Sequence, residues 1–570
     1  MNLIFRYIGK YKAVSVLSPV FKLLEACFEL TVPLIIADLI DKGIATSDNV
    51  LISSRIVLLV IFAVVGFACA ITAQFFAAKA ACGITSNLRG DLFSHVEKLP
   101  VRTFERTGSG RIITGLTSDI NQISSGINLT LRLLLRSPFI VIGAVIMAFT
   151  VSPRLSLIFV AMLVVLSVFI AVNMKLLIPL NAKTRDKMET LVTKSSNGIE
   201  GSKVIRGFNR QDDDYEEFSK VNSELNYLQR KTGSMSSLLN PVTFVIVNLC
   251  VCLLIYRGAI NVSHGNLTQG QVVALYNYMS QILVELIKLA NLIVNVSRAV
   301  VCANRVENFF KLKPDNKGTL EVKEANKPHA ITFSNVSFRY PDSNNDSLSD
   351  ISFSILPGEK IGIVGKTGCG KSTLASLIAG IVEPTAGEIT LDDINMNDIS
   401  DESRSKAISM CLQKAGLFTG TVRYNISLDR EGISESDIAD AAKNSMSEEF
   451  INRKPEGYDY KVFALGTGLS GGQKQRLSIA RTLAGKPGVV IFDDSTSALD
   501  AGTERQFLKN LDNLENRPTV IMVSQKINSI KDFDRIILLE DGRISYFASH
   551  DELLLKSSSY RQLCSLQGVS

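Results

Sequence analysis

The fold of the C-terminal part of this chain is decided by the stretch Lys360-Ile-Gly-Ile-Val-Gly365-Lys-Thr-Gly-Cys-Gly-Lys371-Ser372. Residues 360–364 are a candidate apolar strand, the next eight residues fit the pattern GxxxxGK[ST], and residues 373–379 are a candidate helix. Glycines allow backbone N–H groups to surround phosphates, and a helix N-terminus adds positive potential. The stretch therefore predicts a nucleotide-binding α/β domain.

The same loop supplies residues expected to hold the phosphates and a magnesium ion. We expect Lys371 to pair with the β- and γ-phosphates and the Ser372 hydroxyl to bind Mg²⁺. Downstream, the apolar run 489–492 ends in Asp493 and Asp494, and Asp493 is expected to hold Mg²⁺ through water. The other loop residues expected around the phosphates are Gly365, Thr367, Gly368, Cys369, Gly370 and Thr373.

A third motif, Leu469-Ser470-Gly471-Gly472-Gln473, is followed by Lys474-Gln-Arg-Leu, which leads into a predicted helix. Small residues at a helix N-terminus suit the binding of an anion. With these three motifs in this order, the chain resembles the ATP-binding cassette (ABC) transporter family over nearly its whole length. The resemblance implies a transport ATPase that uses ATP and Mg²⁺.

The resemblance also implies roles for residues outside these motifs. Tyr340 matches the aromatic residue that stacks on adenine, Gln413 matches the glutamine near Mg²⁺, and residues 497–500 match the D-loop. In this family the signature, here Ser470 to Gln473, closes over the ATP held by another cassette. Because this chain carries one cassette, a dimer with a second ABC half-transporter is expected.

Long apolar runs fill the chain before residue 310. Four of them, at 56–72, 137–151, 156–172 and 241–256, are long enough, or nearly so, to cross about 30 Å of hydrocarbon as helices. Two charged candidates at 13–40 and 271–301 would complete six spans. The expected fold is therefore multidomain: an all-α six-helix transmembrane domain (1–310), a linker (311–330) and an α/β nucleotide-binding domain (331–570).

The cassette must lie where ATP is, so both ends of a six-span domain are expected in the cytoplasm. Segments 79–120 and 181–235 then lie inside, and both are rich in Lys and Arg, as the positive-inside rule requires. As helical legs they would reach roughly 40 Å from the membrane. By resemblance to type I exporters, also called type IV, their tips are expected near 110–119 and 205–210. The chain is thus expected to be a multi-pass protein in the lipid bilayer of the cytoplasmic membrane.

Several charged residues fall within the predicted spans. Glu25 and Glu29 share one helix face, as do Glu285 and Lys288. Charges in spans usually face a bundle interior or a water-filled cavity. Two interpretations stay open: the acids line a cavity for cationic amphiphiles, or they pair with neighbouring cations, for example Lys22 with Glu25.

The basic residues indicate a membrane protein rather than a nucleic-acid-binding one. Lys and Arg number 61 against 55 Asp and Glu, a net charge of +6, and they form no dense basic stripe. Nucleic acid is therefore not an expected partner. Arg132 and Arg136 are expected near the cytoplasmic boundary of the membrane, with their charged ends extending toward water.

Two positions depart from the family pattern at the centre of the chemistry. Asp494 stands where the family usually has the glutamate that positions water, so its carboxylate lies one methylene, about 1.5 Å, further back. Gln525 stands where the family has the switch-loop histidine, and an amide carries neither proton nor charge. The family's glutamate before the signature is also missing, near Ala464.

An intact phosphate loop and signature with these changes predict a site that binds ATP and hydrolyses it slowly. The chain resembles the degenerate-site subunit of bacterial heterodimeric multidrug exporters. The resemblance implies export of a small or amphipathic substrate. Two alternatives stay open: a homodimeric exporter with a slow aspartate base, and a non-transporting ABC protein that senses nucleotide.

Overall fold

A computed structural model describes residues 6–314, 318–340 and 343–568 of the chain. By their internal contacts, these residues fall into two compact units. The first comprises residues up to Lys98 together with Thr107–Lys313, and the second comprises Leu99–Arg106 together with residues from Pro314 onward. The first is helical, and the second carries the sheets.

Between residues 6 and 314, the described chain is almost entirely helical, with long helices joined by short helices and turns. Asp48 caps the second long helix by accepting hydrogen bonds from the N–H groups of Val50 and Leu51, and Thr268 forms a capping box with Gln271 at the last. The helices are α1 Lys12–Asp38, α2 Asn49–Glu97, α3 Val101–Thr107, α4 Ser109–Thr114, α5 Ile120–Leu133, α6 Arg136–Val151, α7 Pro153–Glu200, α8 Ser202–Gly207, α9 Gln211–Ser237, α10 Leu239–Ser263 and α11 Gln269–Phe310. Single π-helical turns, Leu39–Ile44 and Gly115–Asp119, adjoin α1 and α5.

Among the described residues, five helical segments are long and apolar enough to cross a membrane. They are Asn49–Glu97, Ser109–Val151, Pro153–Glu200, Gln211–Ser263 and Gln269–Phe310. The sixth expected span corresponds to α1, which has 27 residues and would extend for about 40 Å. It carries three charged residues, Lys22, Glu25 and Glu29, near its middle.

Each of the two long polar segments, 79–120 and 181–235, turns back at a short helix, and the first of these helices, α3, falls mostly in the second unit. The first reversal lies at residues 98–108, around α3, where Gly108 adopts a φ of +80°. The tip expected at 110–119 is therefore placed too late, because those residues already belong to the returning helical segment. The second reversal, at α8, overlaps the tip expected at 205–210.

Charged residues inside the helical unit pair with one another. Arg136 at the start of α6 donates to Glu285 on α11 and to Glu29 on α1, each at 2.6 Å. Glu285 also accepts from Ser137 at 2.7 Å and Lys288 at 2.8 Å. Arg136 is 7% exposed, so the expectation that it extends toward water is wrong: two carboxylates on other helices hold it inside.

On α1 itself, Lys22 donates to Glu25 at 2.5 Å, the pairing that the second interpretation of these charges named. Glu25 also lies 3.7 Å from the guanidinium of Arg136. Arg136 is the first of the 16 residues of α6, roughly 23 Å along the axis from the far end of that helix, which is less than the thickness of the hydrocarbon core. We call the set Lys22, Glu25, Glu29, Arg136, Glu285 and Lys288 the membrane ion network.

The second unit is built on two main sheets. The larger has the strand order β12-β11-β3-β10-β9-β6, and the smaller has the order β2-β1-β4-β5. The strands are β1 Ile331–Phe338, β2 Leu348–Ile355, β3 Lys360–Gly365, β4 Ala386–Leu391, β5 Ile394–Asn395, β6 Ile408–Cys411, β7 Gly420–Thr421, β8 Lys461–Val462, β9 Val489–Asp493, β10 Thr519–Val523, β11 Arg535–Glu540 and β12 Arg543–Ala548. The helices are α12 Lys371–Ile378, α13 Asp401–Ala407, α14 Val422–Ser427, α15 Glu435–Asn444, α16 Glu448–Asn452, α17 Gly471–Ala484, α18 Ala501–Asp512, α19 His550–Lys556 and α20 Ser558–Leu566.

The larger sheet is parallel from β11 to β6. Its central strands β9 and β10 are buried at every residue, as expected for parallel strands covered on both faces. Residues 318–330, predicted as linker, lie in this unit, where Leu320 exchanges backbone hydrogen bonds with Asp398 and Ser400.

Candidate nucleotide-binding site

Three neighbouring strands bring the predicted motifs to one edge of the larger sheet. Strands β3, β10 and β9 are adjacent and parallel, so their carboxyl ends meet at the same edge, where α/β proteins bind ligands. A cleft of about 810 Å³ opens there. Its lining includes the predicted residues Tyr340, Thr367, Gly368, Cys369, Gly370, Lys371, Ser372, Thr373, Gln413, Asp493, Asp494 and Gln525.

The loop after β3 is shaped by glycines. Gly368 and Gly370 have φ values of +86° and +102°, a region that side chains rarely tolerate. A Cβ atom on Gly370 would lie 2.8 Å from the carbonyl oxygen of Ser347. The loop ends at the N-terminus of α12, whose free N–H groups favour an anion.

Lys371 lies folded over this loop. Its Nζ donates to the carbonyl oxygens of Gly365 at 2.9 Å and Lys366 at 2.7 Å, and the residue is buried. Because its hydrogen-bond partners are neutral carbonyl groups, no salt bridge of Lys371 has to break before a phosphate binds. Charge-assisted hydrogen bonds to phosphate are roughly twice as strong as neutral ones.

The donor set beside Lys371 fits a magnesium ion. The Ser372 hydroxyl donates to Oδ1 of Asp493 at 3.0 Å, and Nε2 of Gln413 donates to Oδ2 of Asp494 at 3.3 Å. Hydroxyl, carboxylate and amide oxygens are the hard ligands that Mg²⁺ binds together with water and phosphates. Ser372, Asp493 and Gln413 would hold the ion and so neutralise phosphate charge.

The two aspartates stand in a partly dry environment. Burial raises the pKa of Asp493, and the neighbouring charge of Asp494 raises it further, against the lowering effect of the Ser372 hydrogen bond. Burial also raises the pKa of Asp494, while its hydrogen bond from Gln413 and the charge of Lys371 lower it. A cation between them would favour their ionised forms.

The backbone fixes Asp494 just beyond β9. Its N–H donates to the carbonyl oxygen of Val523 at 3.0 Å, and its φ is +47°, an uncommon value for a residue with a side chain. Val523 ends β10, and Gln525 follows two residues later and lines the cleft. Asp494 and the switch loop are therefore held as neighbours.

Tyr340, the residue expected to stack on adenine, forms another wall of the cleft. The Tyr340 hydroxyl lies 3.1 Å from Oγ1 of Thr373, and its ring stands at 88° to that of Phe338 with centroids 4.9 Å apart. These contacts connect the tyrosine to the first turn of α12. Because Tyr340 remains exposed, its ring is available for stacking on a base.

Sequence reasoning missed an acidic part of this wall. Asp346, Glu540 and Asp541 also line the cleft, and Asp346 accepts a 2.7 Å hydrogen bond from Arg339. The only local signal was the Asp541-Gly542 turn between β11 and β12, typical of a hairpin. Nothing in that signal indicates a neighbouring nucleotide cleft.

The signature lies elsewhere in the same unit. The Ser470 hydroxyl caps α17 by accepting a hydrogen bond from the N–H of Gln473 at 3.3 Å. In return, Oε1 of Gln473 accepts from the N–H of Ser470 at 3.0 Å. Ser470, Gly471, Gly472 and Gln473 are absent from the cleft lining of the described cassette. One cassette therefore brings together the phosphate loop, the acidic pair and the switch loop, but not the signature.

Comparisons with known proteins give a consistent family. Residues 15–286 match the model of the ABC transporter transmembrane region, and residues 348–497 match that of the ABC transporter. An uncharacterized ABC transporter ATP-binding protein of Bacillus subtilis is 32% identical, with 98% of this chain and 97% of that protein covered. An ATP-dependent lipid A-core flippase of Yersinia pestis is 28% identical, with 98% and 96% covered.

A solved structure shares the fold. It is described as a bacterial Atm1-family ABC exporter with ATP bound, and it matches with a TM-score of 0.82 at 22% identity, covering 99% of each chain. The match spans helical and sheet-containing units alike.

Proposed function

This chain belongs to the ABC transporter family, and on that premise we propose that it is one half of a dimeric exporter with a slow ATP site of its own. It is a multi-pass membrane protein with a cytoplasmic ATPase cassette that uses ATP and Mg²⁺. The proposed substrate is small or amphipathic. The relative described as a lipid A-core flippase supports an amphipathic molecule.

The dimer is supported by one observation: the signature residues do not line the nucleotide cleft of their own cassette. An ATP molecule on this phosphate loop meets Lys371, Ser372 and Asp493 but no signature residue of the same cassette. A second cassette facing the first would supply one. By the same geometry, Ser470 of this chain would complete the ATP site of its partner.

Asp494 and Gln525 support a slow site. Both line the cleft, so the two family departures face the nucleotide together. Asp494 keeps a carboxylate that is one methylene short, and misplacement of about 1 Å can cost about 10²-fold in rate. Gln525 can donate a hydrogen bond to a phosphate but cannot carry a charge. The partner is expected to have glutamate and histidine at these positions, which makes a heterodimer the favoured assembly.

A homodimer is the competing assembly, and one contact favours it. Gln413 donates to Asp494, which orients a carboxylate near the metal ligands, as a working base requires. In that case Asp494 is a slow but real base in both sites.

The test compares two substitutions in the assembled transporter. Ser470→Arg places a bulky cation at the signature that faces the partner's ATP, and we expect it to abolish steady-state ATPase activity. Asp494→Asn affects only the slow site, and most activity should remain. Ser434→Arg is a matched control because Ser434 caps α15 with the same capping box outside any expected ATP contact.

The outcomes separate the assemblies. Loss of activity in Ser470→Arg alone supports the heterodimer with a slow site. If Asp494→Asn is as damaging as Ser470→Arg, Asp494 is a working base and the homodimer replaces the present proposal.

A further inference from the structure

The switch loop connects the nucleotide cleft to two helices. It follows β10 and comprises Ser524, Gln525 and Lys526 before a 3₁₀ turn at Ile527–Ser529. Gln525 lines the cleft together with Lys371 and Asp494. A residue in that position can sense the terminal phosphate only if the backbone that carries it is fixed.

One side chain from the C-terminal helix fixes this backbone at two points. Gln567, at the end of α20, donates from Nε2 to the carbonyl oxygen of Gln525 at 2.8 Å. Its Oε1 accepts from the N–H of Ile527 at 2.9 Å. A single planar amide therefore bridges the backbone on both sides of Lys526, as a neighbouring strand would.

The helix that presents Gln567 is firmly seated. Tyr560 and Cys564 on α20 are buried at 0% and 2% exposure, and the Tyr560 hydroxyl lies 2.8 Å from Nδ1 of His550 on α19. Gln567 itself ends the helix by donating its N–H to the carbonyl oxygen of Cys564. Its side chain thus starts from a rigid base.

The other side of the loop is held by α18. Lys526 donates to Glu504 at 3.1 Å, and Ser529 donates to the same carboxylate at 2.7 Å. These contacts hold the side chains of Lys526 and Ser529, whereas Gln567 holds the backbone of Gln525 directly. The Ser524 hydroxyl holds the backbone of Lys526 as well, whereas the carbonyl group of Gln525 itself is held by Gln567.

We propose that Gln567 is a positioning residue that sets the switch-loop backbone so that Gln525 faces the γ-phosphate of ATP. The inference rests on the proposed nucleotide role of Gln525. It predicts a selective effect, because ADP lacks the phosphate that Gln525 would face. Loss of Gln567 should weaken ATP binding and leave ADP binding nearly unchanged.

The experiment uses the full chain in lipid nanodiscs and measures ATP and ADP affinity by displacement of a fluorescent nucleotide. Gln567→Ala should weaken ATP binding about fivefold, the change expected for one ordinary hydrogen bond, with ADP affinity unchanged. Gln562→Ala is the control, an exposed glutamine on the same helix whose side chain makes no hydrogen bond to the switch loop among the described residues. It should bind both nucleotides normally.

A double variant ties the effect to Gln525. If Gln567 acts through Gln525, then Gln525→Ala and Gln525→Ala with Gln567→Ala should weaken ATP binding to the same extent, because coupled residues are not additive. Multiplying effects, or equal weakening of ATP and ADP, would overturn the positioning role. Should Gln525→Ala alone leave ATP affinity unchanged, the nucleotide role of Gln525 fails and the inference fails with it. If Gln525→Ala weakens ATP binding but Gln567→Ala does not, the positioning role of Gln567 is wrong and the nucleotide role of Gln525 still stands.

Discussion

Buried charge occurs both in the nucleotide cleft and in the membrane ion network, and its partners differ. In the cleft, Lys371 donates to neutral backbone carbonyls and Asp493 accepts from a hydroxyl. In the network, Arg136 is neutralised by carboxylates on two other helices. Charges whose partners are neutral stay available to a ligand, whereas charges that neutralise each other serve first to join helices.

The largest effect is expected if the membrane ion network stabilises the packing of the helices. Glu285 and Glu29 each contact Arg136 at 2.6 Å, but their side chains are 2% and 39% exposed. Glu285→Gln removes the buried carboxylate of the network, which pairs with Arg136 and Lys288, and should lower the free energy of unfolding of the helical unit by about 3–5 kcal/mol. Glu29→Gln should cost about 1 kcal/mol or less, since exposed pairs contribute little.

The measurement is thermal or denaturant unfolding of the two purified variants in the same lipid or detergent. Both variants replace Glu with Gln and share the partner Arg136, but Glu285 is buried and also accepts from Ser137 and Lys288, which adds to its expected loss. Equal losses would mean that Glu29 is also buried in the assembled transporter. If Glu285→Gln hardly changed the free energy of unfolding, the network would not stabilise helix packing and would become a candidate substrate contact.

A smaller effect is expected in the cleft, where the change should act on binding and not on folding. Lys371→Ala removes a charged donor to phosphate and should weaken ATP binding about 10- to 100-fold, as expected for loss of a charge-assisted hydrogen bond. The melting temperature without nucleotide should change little. Lys509→Ala, an exposed lysine on α18 that is not part of the cleft lining, is the control and should bind ATP normally. ATP affinity unchanged in Lys371→Ala would rule out the assignment of the phosphate loop.

The smallest effect is a shift in pH dependence. Because burial, together with the neighbouring charge of Asp494, raises the pKa of Asp493, its carboxylate protonates at a higher pH than an ordinary aspartate. Mg²⁺-dependent ATP binding should therefore be lost as pH falls through that raised pKa. Asp494→Asn removes the neighbouring negative charge, lowers the pKa of Asp493 and should move the loss to lower pH.

This shift is read from ATP affinity against pH at one fixed Mg²⁺ concentration below saturation, because bound Mg²⁺ itself favours the ionised carboxylates. The exposed residue Asp551 on α19 provides the control variant Asp551→Asn, which should leave the profile in place. A profile displaced upward by Asp494→Asn would contradict the coupling between the two aspartates.

The cassette was predictable because its motifs are local. The glycines, Lys371 and Ser372 occupy consecutive positions, and the strand before them and the helix after them follow from adjacent residues. The family pattern then added Tyr340, Gln413 and Gln525, which the fold brings to the same cleft. The acidic wall around Asp541 could not be predicted, since it arises from a hairpin that becomes a neighbour only in the folded sheet.

In the helical unit, the sequence determined the apolar spans, their number apart from the charged α1, and the long polar excursions, because hydropathy and length are properties of continuous segments. Only the tertiary structure decided the partners of the charges. Arg136 meets Glu29 across 107 residues and Glu285 across 149, and Gln567 meets Gln525 across 42. Helical spacing constrains neighbours three or four residues apart, whereas contacts between elements depend on how helices and strands pack, which no local pattern records.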